Sequence, residues 1–348
     1  MSRKLASVQR IWKIEPIEGA DKIELARILG WQCVVGKGQF QPMELAVYFE
    51  IDSFLPIREE FEFLRKTSYK KSELLGEGFK LRTITLRKQL SQGLIMPLSA
   101  FPEIPADVEP GTDLTELLGV RKWAIEERAT SGGNIIGTLP GSIPHTDETR
   151  VQAMPELIRQ FAGKEYYIST KLDGTSCSIG IDEDGFHVTG HNYEYKNDDS
   201  SDFYKFVNKC GYRDKVEEYV RQNGLSQLVI QGELCAPGIQ KNRLRLQKPE
   251  WFVFTVMEDG KRVGLRRMIT ICEALGIPTV PIEETGLDLP AKYPTVEALL
   301  ERANGNYENA GKKEGIVIRT TEPEFCPLMC DYLSMKVVSN KYLLADDE

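Results

Sequence analysis

The residue of this sequence best placed to act as a nucleophile is Lys171. It ends an aromatic and β-branched stretch, residues 165–171, which predicts a strand. The turn dipeptide Asp173-Gly174 follows at once, so the lysine should lie at the strand end, beside whatever cavity the strand borders. A neutral lysine amine is a nucleophile. A Lys-x-Asp-Gly pattern alone, however, favours an ordinary solvated turn lysine.

Three later segments add carboxylates and a second lysine in strand-like surroundings. They are Gly232-Glu233, Glu314–Arg319 and Ser334–Lys336. Side chains alternate between the two faces of a strand, which groups Glu314 with Ile316 and leaves Glu233 and Lys336 each on a definite face. If these faces line one cleft, it contains Lys171, two carboxylates, a second lysine and the apolar Ile316. A nucleotide requires this combination of groups.

The four segments, in this order, resemble the nucleotidyltransferase motifs of ATP-dependent nucleic-acid ligases. The resemblance is closest to RNA ligases with an N-terminal OB module, and it covers nearly the whole chain. It implies that Lys171 becomes adenylated and that Asp173 and Gly174 complete its motif. It also implies that Glu233 contacts the ribose and that Glu314 lies close to Mg²⁺ or Mn²⁺.

The resemblance extends to the remaining nucleotide contacts. Lys336 matches the lysine of the final motif, which neutralises charge on the α-phosphate. Phe254 falls where an aromatic residue lines the pocket, and Ile316 is expected to pack on the adenine. The segment Thr149–Gln152 resembles the element that precedes the nucleotide pocket in these ligases, so Arg150 is expected to contact phosphates or metal-bound water. The predicted ATP- or AMP-binding residues are Lys171, Asp173, Gly174, Arg150, Asn192, Glu233, Phe254, Ile316 and Lys336, with Glu314 as the metal residue.

Two positions depart from the family pattern. The family usually has Arg-Asn after the first hairpin, whereas this chain has His191-Asn192. A neutral imidazole cannot replace a permanently charged guanidinium that binds through two hydrogen bonds. The final motif is often Lys-x-Lys, and here Ser334 stands in its first position. Both departures concern contacts to the nucleotide phosphates more than the class of reaction.

Each candidate residue also has an ordinary structural interpretation. Glu233 could be a surface carboxylate, and Glu314, which follows Lys312-Lys313, could belong to a solvated charge run. Lys336 could extend its amine along the surface into solvent. The aromatic residues of Trp251–Phe254 could belong to the core. The ordered set of motifs favours the catalytic interpretation over these alternatives.

Length and composition are those of a globular protein with two domains. The chain has 348 residues, 41% of them hydrophobic, and a net charge of −8. It contains no apolar run of about 18 residues and no secretory signal at its start, so we expect no membrane span and an intracellular, cytoplasmic or nuclear protein. Seven scattered cysteines suit reduced thiols.

The distribution of charge is more informative than its sum. Residues 65–88 contain eight basic side chains against two acidic ones, a local charge of +6, with Tyr69 and Phe79 interleaved. Such a stretch can bind phosphates, although a solvated surface is an equally good interpretation of this feature alone.

The first third of the sequence predicts a small β-barrel. Its short β-rich segments are separated by turns at glycine, proline and aspartate: 6–14, 22–29, 31–35, 45–50, 79–87 and 93–98. The sequences of Ile17–Glu24 and of Val34-Val35-Gly36 resemble those of OB modules of the tRNA-binding type. Residues 114–120 predict a short helix. We therefore expect an OB domain over 1–120 that binds nucleic acid or only supports its neighbour.

A Pro- and Gly-rich stretch, 121–145, predicts a linker before a second domain at 146–348. In that domain, helices are predicted at 155–161, 215–222, 264–275 and 296–303, and strands at 176–181, 186–190, 227–234, 251–256, 316–319 and 332–338. This order lacks regular βαβ alternation and favours an α+β fold with antiparallel sheets, as in the ATP-grasp-like nucleotidyltransferase domain.

The sequence thus predicts an ATP-dependent RNA ligase. It would join a 3′-OH to a 5′-phosphate, in a nicked RNA duplex, through a lysyl-AMP, as a monomer. Two other interpretations remain: a DNA ligase or mRNA-capping nucleotidyltransferase with the same lysine chemistry, and a non-catalytic RNA-binding protein built on the OB module. The first usually places its OB module after the catalytic domain, and the intact motif residues argue against the second.

Overall fold

A computed structural model of the chain describes residues 3–123, 134–198, 200–308 and 310–346. The chain divides into two compact units. One contains Met1–Glu126, Gln152–Pro155 and Asp346–Glu348, and the other contains Glu127–Val151 and Glu156–Ala345. Part of the predicted linker, 124–133, lies outside the described residues. The predicted domain boundaries therefore stay predictions.

The N-terminal unit is built from short antiparallel strands. These are β1 (Ala6–Pro16), β2 (Ile23–Ile28), β3 (Trp31–Gly36), β4 (Leu45–Phe49), β5 (Ser53–Pro56), β6 (Tyr69–Ser72), β7 (Gly76–Lys80), β8 (Thr83–Leu86), β9 (Gln89–Gln92), β10 (Leu94–Pro97) and β11 (Arg121–Lys122). They form a five-stranded sheet in the order β10-β4-β1-β2-β3, a four-stranded sheet in the order β11-β5-β7-β6, and the hairpin β8-β9. A short helix, α1 (Arg65–Ser68), follows a 3₁₀ turn at Glu59–Leu64.

The core of this unit explains the strand pattern. Fully buried aromatic and aliphatic side chains, including Phe49, Phe61 and Phe79, pack between the sheets. Two local predictions were wrong. The predicted strand 79–87 is broken after Lys80, because Lys80 pairs with β5 whereas Thr83 pairs with β9. Residues 114–120 form turns instead of a helix, and the segment ends at Gly119 with φ at 64°.

The second unit mixes strands with short helices. Its strands are β12 (Ile135–Thr138), β13 (Glu165–Lys171), β14 (Thr175–Asp182), β15 (Gly185–Thr189), β16 (Tyr193–Tyr195), β17 (Leu228–Cys235), β18 (Glu250–Glu258), β19 (Lys261–Arg262), β20 (Ile282–Leu287), β21 (Gly315–Thr320), β22 (Phe325–Cys326), β23 (Asp331–Tyr332) and β24 (Ser334–Val338). Its helices are α2 (Leu157–Gln160), α3 (Asp202–Lys209), α4 (Tyr212–Asn223), α5 (Leu265–Leu275), α6 (Leu289–Lys292), α7 (Val296–Ala303) and α8 (Asn340–Asp346).

Two antiparallel sheets organise this unit. One has seven strands in the order β12-β16-β15-β14-β17-β18-β19, and the other has four in the order β20-β13-β21-β24. Helices α3, α4 and α5 cover the larger sheet around buried Val216, Ile230 and Trp251. The predicted α+β class with antiparallel sheets is confirmed.

The element predictions for this unit hold best where the pattern is strong. Helix 296–303 is confirmed at both ends, and the predicted strands 176–181 and 186–190 form the hairpin β14-β15, with Asp182 paired to Gly185. The predicted strand 332–338 is interrupted at Leu333, because Tyr332 pairs with Phe325 whereas Ser334 pairs with Arg319. Helix α3 and strand β20 were not predicted. Among the described residues, none of the helices combines the length and apolar character needed to cross a bilayer.

Candidate active site

Strand β13 holds Lys171 at its end, as the sequence predicts. The strand lies between β20 and β21, and five of its seven residues are buried, so its position is fixed by packing on both sides. Lys171 pairs with Gly315 at the start of β21. A side chain at Gly315 would collide with the backbone carbonyl of Val337 on β24, so the close approach of β21 to β24 at this point requires glycine.

The amine of Lys171 is paired with the carboxylate of Glu314. The Nζ atom lies 2.7 Å from Oε1 of Glu314, and both side chains are mostly buried. Burial alone would lower the pKa of Lys171, but the carboxylates of Glu314, Glu233 and Asp173 raise the pKa above that of a free lysine. The lysine is therefore charged in this arrangement. The sequence-based argument, by contrast, required a depressed pKa for the attacking amine.

Glu233 approaches the same lysine from strand β17. Its Oε1 accepts a hydrogen bond from the backbone N–H of Gly174 at 3.1 Å. Burial raises the pKa of Glu233 to about 7, and the neighbouring Lys171 opposes that rise. A Cβ atom at Gly174 would lie 2.6 Å from the carbonyl oxygen of Leu234, so only glycine allows this turn to lie against β17.

Asp173 is turned away from the cavity and held in place by two side chains. Tyr342 of α8 donates to its Oδ1 at 3.0 Å, and Arg243 donates to its Oδ2 at 3.0 Å. Burial and Glu314 raise the pKa of Asp173, while Tyr342 and Arg243 act in the opposite direction. The carboxylate therefore fixes the turn after Lys171 and does not line the cavity.

A single cavity brings most of the predicted nucleotide residues together. Those that line it include Lys171, Gly174, Glu233, Phe254 and Lys336. The register of β17 and β18 shifts by one residue between Gln231 and Gly232 and leaves Phe254 between the two pairs. Such a bulge re-aims a side chain, and Phe254 is partly exposed at the cavity between the buried Val253 and Thr255.

Ile316, which the sequence predicts to pack on the adenine, does not line the cavity. It is fully buried, and the cavity is lined instead by Val317, whose partners across the sheet are Ser169 and Lys336. The prediction counted alternation from Glu314. This residue lies before the first residue of β21, Gly315, so the direction of its side chain does not follow the strand.

Arg150 and Asn192 are not among the residues that line the cavity. Arg150 forms an isolated parallel bridge with Lys336, and the backbone N–H of Lys336 donates to Thr149 at 2.8 Å. The predicted element therefore lies beside the final motif. Asn192 is exposed, whereas its neighbour His191 lines the cavity.

Comparisons with known proteins agree with this geometry. A family model described as RNA ligase matches residues 164–338, about half of the chain, and one described as an OB-fold domain matches residues 5–98. The whole chain is similar to Naegleria gruberi RNA ligase with PPi, with a TM-score of 0.88, 31% identity and coverage of 100% of both chains. The chain belongs to the RNA ligase family.

Two further structures of the Naegleria gruberi enzyme are similar to this ligase. A lysine-to-alanine mutant with ATP and Mn has a TM-score of 0.87 and 31% identity, with coverage of 99% of this chain and 98% of that chain. A lysine-to-methionine mutant with AMP and Mn has a TM-score of 0.88 and 31% identity, with coverage of 99% of both. No curated protein sequence matches the chain significantly. The prediction of an RNA ligase with an N-terminal OB module is confirmed.

The site of the ligase contains a buried ion pair that the sequence analysis did not predict. Arg319 donates to Glu148 at 2.6 Å and to the hydroxyl oxygen of Thr255 at 3.0 Å, and both charged residues line the cavity. Burial by itself would raise the pKa of Glu148, but Arg319, Arg262 and a hydrogen bond from Ser334 lower it. Ser334, the departure from the Lys-x-Lys pattern, therefore supports this pair.

A tyrosine hydroxyl connects the two principal residues of the ligase site. Tyr307 donates to the backbone carbonyl of Lys171 at 2.9 Å and accepts from the backbone N–H of Glu314 at 3.0 Å. The ring is buried with Leu172, Cys235 and Val280. The hydroxyl fixes the spacing between the strand that ends at Lys171 and the loop that carries Glu314. No local sequence pattern indicated this role.

The other unusual residue, His191, lies at the cavity with an acidic partner. Its Nε2 is 3.3 Å from Oδ2 of Asp147, and its ring centroid is 6.2 Å from that of His145. The imidazole thus stands at the position where the family pattern has arginine, paired with an exposed carboxylate. Within the described ranges, no group of three or more histidine, cysteine, aspartate and glutamate residues is arranged to hold a metal ion.

Proposed function

We propose that this RNA ligase depends on ATP and joins RNA 3′-OH ends to 5′-phosphate ends through AMP bound covalently to Lys171. The observation that carries the proposal is the contact of 2.7 Å between Glu314 and the amine of Lys171, which lines a cavity together with Lys336 and Phe254. The similar Naegleria gruberi structures with ATP or AMP and Mn support it.

The nucleotide would occupy the cavity with its base between Phe254 and Val317, both of which line it. Glu233 would accept a hydrogen bond from a ribose hydroxyl. Lys336 would neutralise charge that develops on the α-phosphate. Arg150, beside Lys336, and Asn192, next to His191, would contact the phosphates only after their side chains move toward the cavity.

The residues present fit a divalent cation, Mg²⁺ or Mn²⁺. Mg²⁺ is typically held by one or two carboxylates together with substrate phosphates, not by an all-protein cage. Glu314 supplies such a carboxylate beside Lys171. A bound cation would offset the negative charge that raises the pKa of Lys171, and this favours the neutral amine.

The reaction would proceed in three steps. The neutral Nζ of Lys171 attacks the α-phosphorus of ATP, a phosphoramidate bond forms, and pyrophosphate leaves. The terminal 5′-phosphate of RNA then displaces the lysine and takes the AMP. Finally the 3′-OH attacks the adenylated 5′-phosphate, a phosphodiester bond forms, and AMP leaves. Catalysis of such transfers rests mostly on positioning and on stabilisation of charge.

The substrate we propose is a nicked RNA duplex, and the role is the repair of RNA ends. The OB module would hold the strand that carries the 3′-OH. A 2′-OH at that end is the group by which a protein distinguishes RNA from DNA.

All seven cysteines are free thiols, which supports a reducing compartment, cytoplasmic or nuclear. We propose that the ligase acts there as a monomer.

Incubation with ATP labelled at the α-phosphate, without RNA, tests the first step. The expected result is an acid-stable label on the protein that disappears in Lys171→Ala. Nicked duplexes with a single ribonucleotide or deoxyribonucleotide at the 3′-OH end test the substrate. Equal sealing of both would overturn the RNA assignment and favour a DNA ligase, and absence of any covalent label would overturn the proposed chemistry.

A further inference from the structure

One hairpin of the N-terminal unit ends in an unfavourable turn made of two cations. Strands β8 and β9, which we call the basic arm (residues 83–92), are joined by Arg87 and Lys88, with Leu86 paired to Gln89. Both turn residues have a positive φ, 49° and 64°. This is the pattern of a type I′ turn, which strongly favours Asn-Gly because larger L-residues adopt positive φ at a cost in free energy.

The base of the basic arm is held firmly by the barrel. The hydroxyl oxygen of Ser91 accepts a hydrogen bond from the backbone N–H of Val34 at 3.0 Å. The side-chain amide of Gln32 donates to the carbonyl of Leu90 at 2.8 Å, and Tyr48 donates to the carbonyl of Gln92 at 3.0 Å. The arm is therefore presented by fixed backbone contacts and does not hang from a loose loop.

The tip of the arm, in contrast, has no partner within the described part of the chain. Arg87 and Lys88 are exposed, and neither forms an ion pair or a side-chain hydrogen bond there. Two other cations of residues 65–88 are already engaged: Arg65 pairs with Glu62 and Lys71 with Glu77. The two turn residues, both with positive φ, are exposed and free to bind an external anion.

We propose that Arg87 and Lys88 bind the phosphate backbone of the RNA substrate. Packing does not require these side chains, since they are exposed, and the turn itself would favour Asn-Gly. An unfavourable backbone that persists without a structural benefit points to a function of the side chains. Two cations at the end of a rigid arm suit adjacent phosphates, whose contacts are independent of base sequence. The inference rests on the proposed function, in which the substrate is RNA.

The double substitution Arg87→Asn and Lys88→Gly separates binding from stability. It removes both charges and introduces the residues that the turn favours. We expect the melting temperature to rise by about 1–4 °C. Binding is measured with a nicked RNA duplex that has a 5′-hydroxyl at the nick and cannot be sealed. Its Kd should rise roughly tenfold at 0.15 M salt. The slope of log K against log salt should fall by about two units, one per lost phosphate contact.

A matched control removes the same charge elsewhere in the module. Lys22 and Lys37 are exposed, and Lys22→Asn with Lys37→Asn should leave the Kd and the salt slope nearly unchanged. The single change Lys88→Gly, which affects the fold least, should show about half of the loss in slope. Equal losses in the arm variant and the control would overturn the proposal, because they would indicate only a general effect of net charge.

The wild-type protein distinguishes failure of this inference from failure of the proposed function. If it forms a covalent adenylate and seals RNA nicks while the arm variant binds the duplex unchanged, the inference about the arm alone is wrong. If the wild type forms no adenylate and does not bind the duplex, the proposed function fails and the inference fails with it.

Discussion

The cavity around Lys171 and the tip of the basic arm position cations in opposite ways. At the cavity, Lys171 and Arg319 are held by the internal carboxylates of Glu314 and Glu148 at 2.7 and 2.6 Å. At the tip of the arm, Arg87 and Lys88 are exposed, and only the backbone of a two-residue turn orients them.

This difference indicates how each region can be changed. Removal of one member of a buried charge pair leaves the other unsatisfied, so a substitution at the cavity affects folding and chemistry together. Exposed cations that lack partners contribute little to folding, so their removal should weaken binding without lowering the stability of the fold. Substitutions in the two regions therefore test whether chemistry and RNA binding are separable in this ligase.

The largest effect is expected for Lys171→Ala. The variant should form no covalent adenylate, since the nucleophile is absent, but should retain some sealing of a strand that is already adenylated. Radiolabelled ATP and an adenylated nicked duplex measure the two activities. Lys196→Ala, which changes an exposed lysine of the same unit, serves as the control and should behave as the wild type. A variant at Lys171 that still becomes labelled would contradict the assignment.

Glu314→Ala and Lys336→Ala should each slow adenylation by a factor of a hundred or more. By analogy with other groups that stabilise developing charge, each loss corresponds to about 3 kcal/mol. Single-turnover rates with ATP provide the measurement.

Two neighbouring residues of β21, one at the cavity and one in the core, supply a matched pair of variants for the same assay. Val317→Ala, at the cavity, should raise the KM for ATP. Ile316→Val, in the core, should lower the free energy of unfolding by roughly 1 kcal/mol and leave the KM unchanged. The reverse outcome would restore Ile316 to the nucleotide pocket.

Tyr307→Phe should produce a smaller, positional effect. Loss of the hydroxyl leaves a carbonyl of Lys171 and an N–H of Glu314 without their partner, at about 1–3 kcal/mol. We expect kcat for adenylation to fall roughly tenfold with little change in KM. Tyr166→Phe is the control. Tyr166 lies on β13, the strand that ends at Lys171, but its hydroxyl donates to Glu284. If both variants lost the same stability and neither lost kcat, Tyr307 would have a structural role only.

The smallest effect concerns a buried histidine that lies outside the cavity. His187 contacts Glu194 at 2.6 Å and Asp182 at 3.0 Å. Burial alone would lower the pKa of His187, but these carboxylates raise it. Its charged form therefore stabilises the fold fully below about pH 6.5, the pKa of an unfolded histidine, and this contribution disappears as the pH rises through the raised folded pKa.

Denaturant unfolding of His187→Gln as a function of pH measures this contribution. The variant should lose about 1 kcal/mol relative to the wild type near pH 6 and less at alkaline pH. A difference that stays constant with pH would show that packing, and not charge, explains the role of His187.

The residues that carry the chemistry of the site were more predictable than the contacts that position them. Lys171, Glu233 and Lys336 lie near strand ends or on strands whose alternation is visible in the sequence, so their convergence could be inferred. That Phe254 and not Phe252 lines the cavity could not, because the two residues are two positions apart and strand alternation predicts the same face for both. Nor could the contacts of Tyr307, which lies in a loop where no spacing rule relates a side chain to a distant backbone group.

The same limit applies to whole elements. The helix 296–303 was predictable because its apolar face has the helical period and Thr295 caps its first turn. The strand 332–338 was predicted without its break, since a change of pairing partner at Leu333 leaves no mark on β propensity.

The hydrogen bond between Tyr342 and Asp173 has a consequence for synthesis of the protein. The two residues are 169 positions apart in the chain. At the rates at which ribosomes elongate a chain, roughly ten to thirty seconds separate their emergence. During that interval the turn after Lys171 lacks one of its two anchors. A nascent chain should therefore reach full adenylation competence only after helix α8 has left the ribosome.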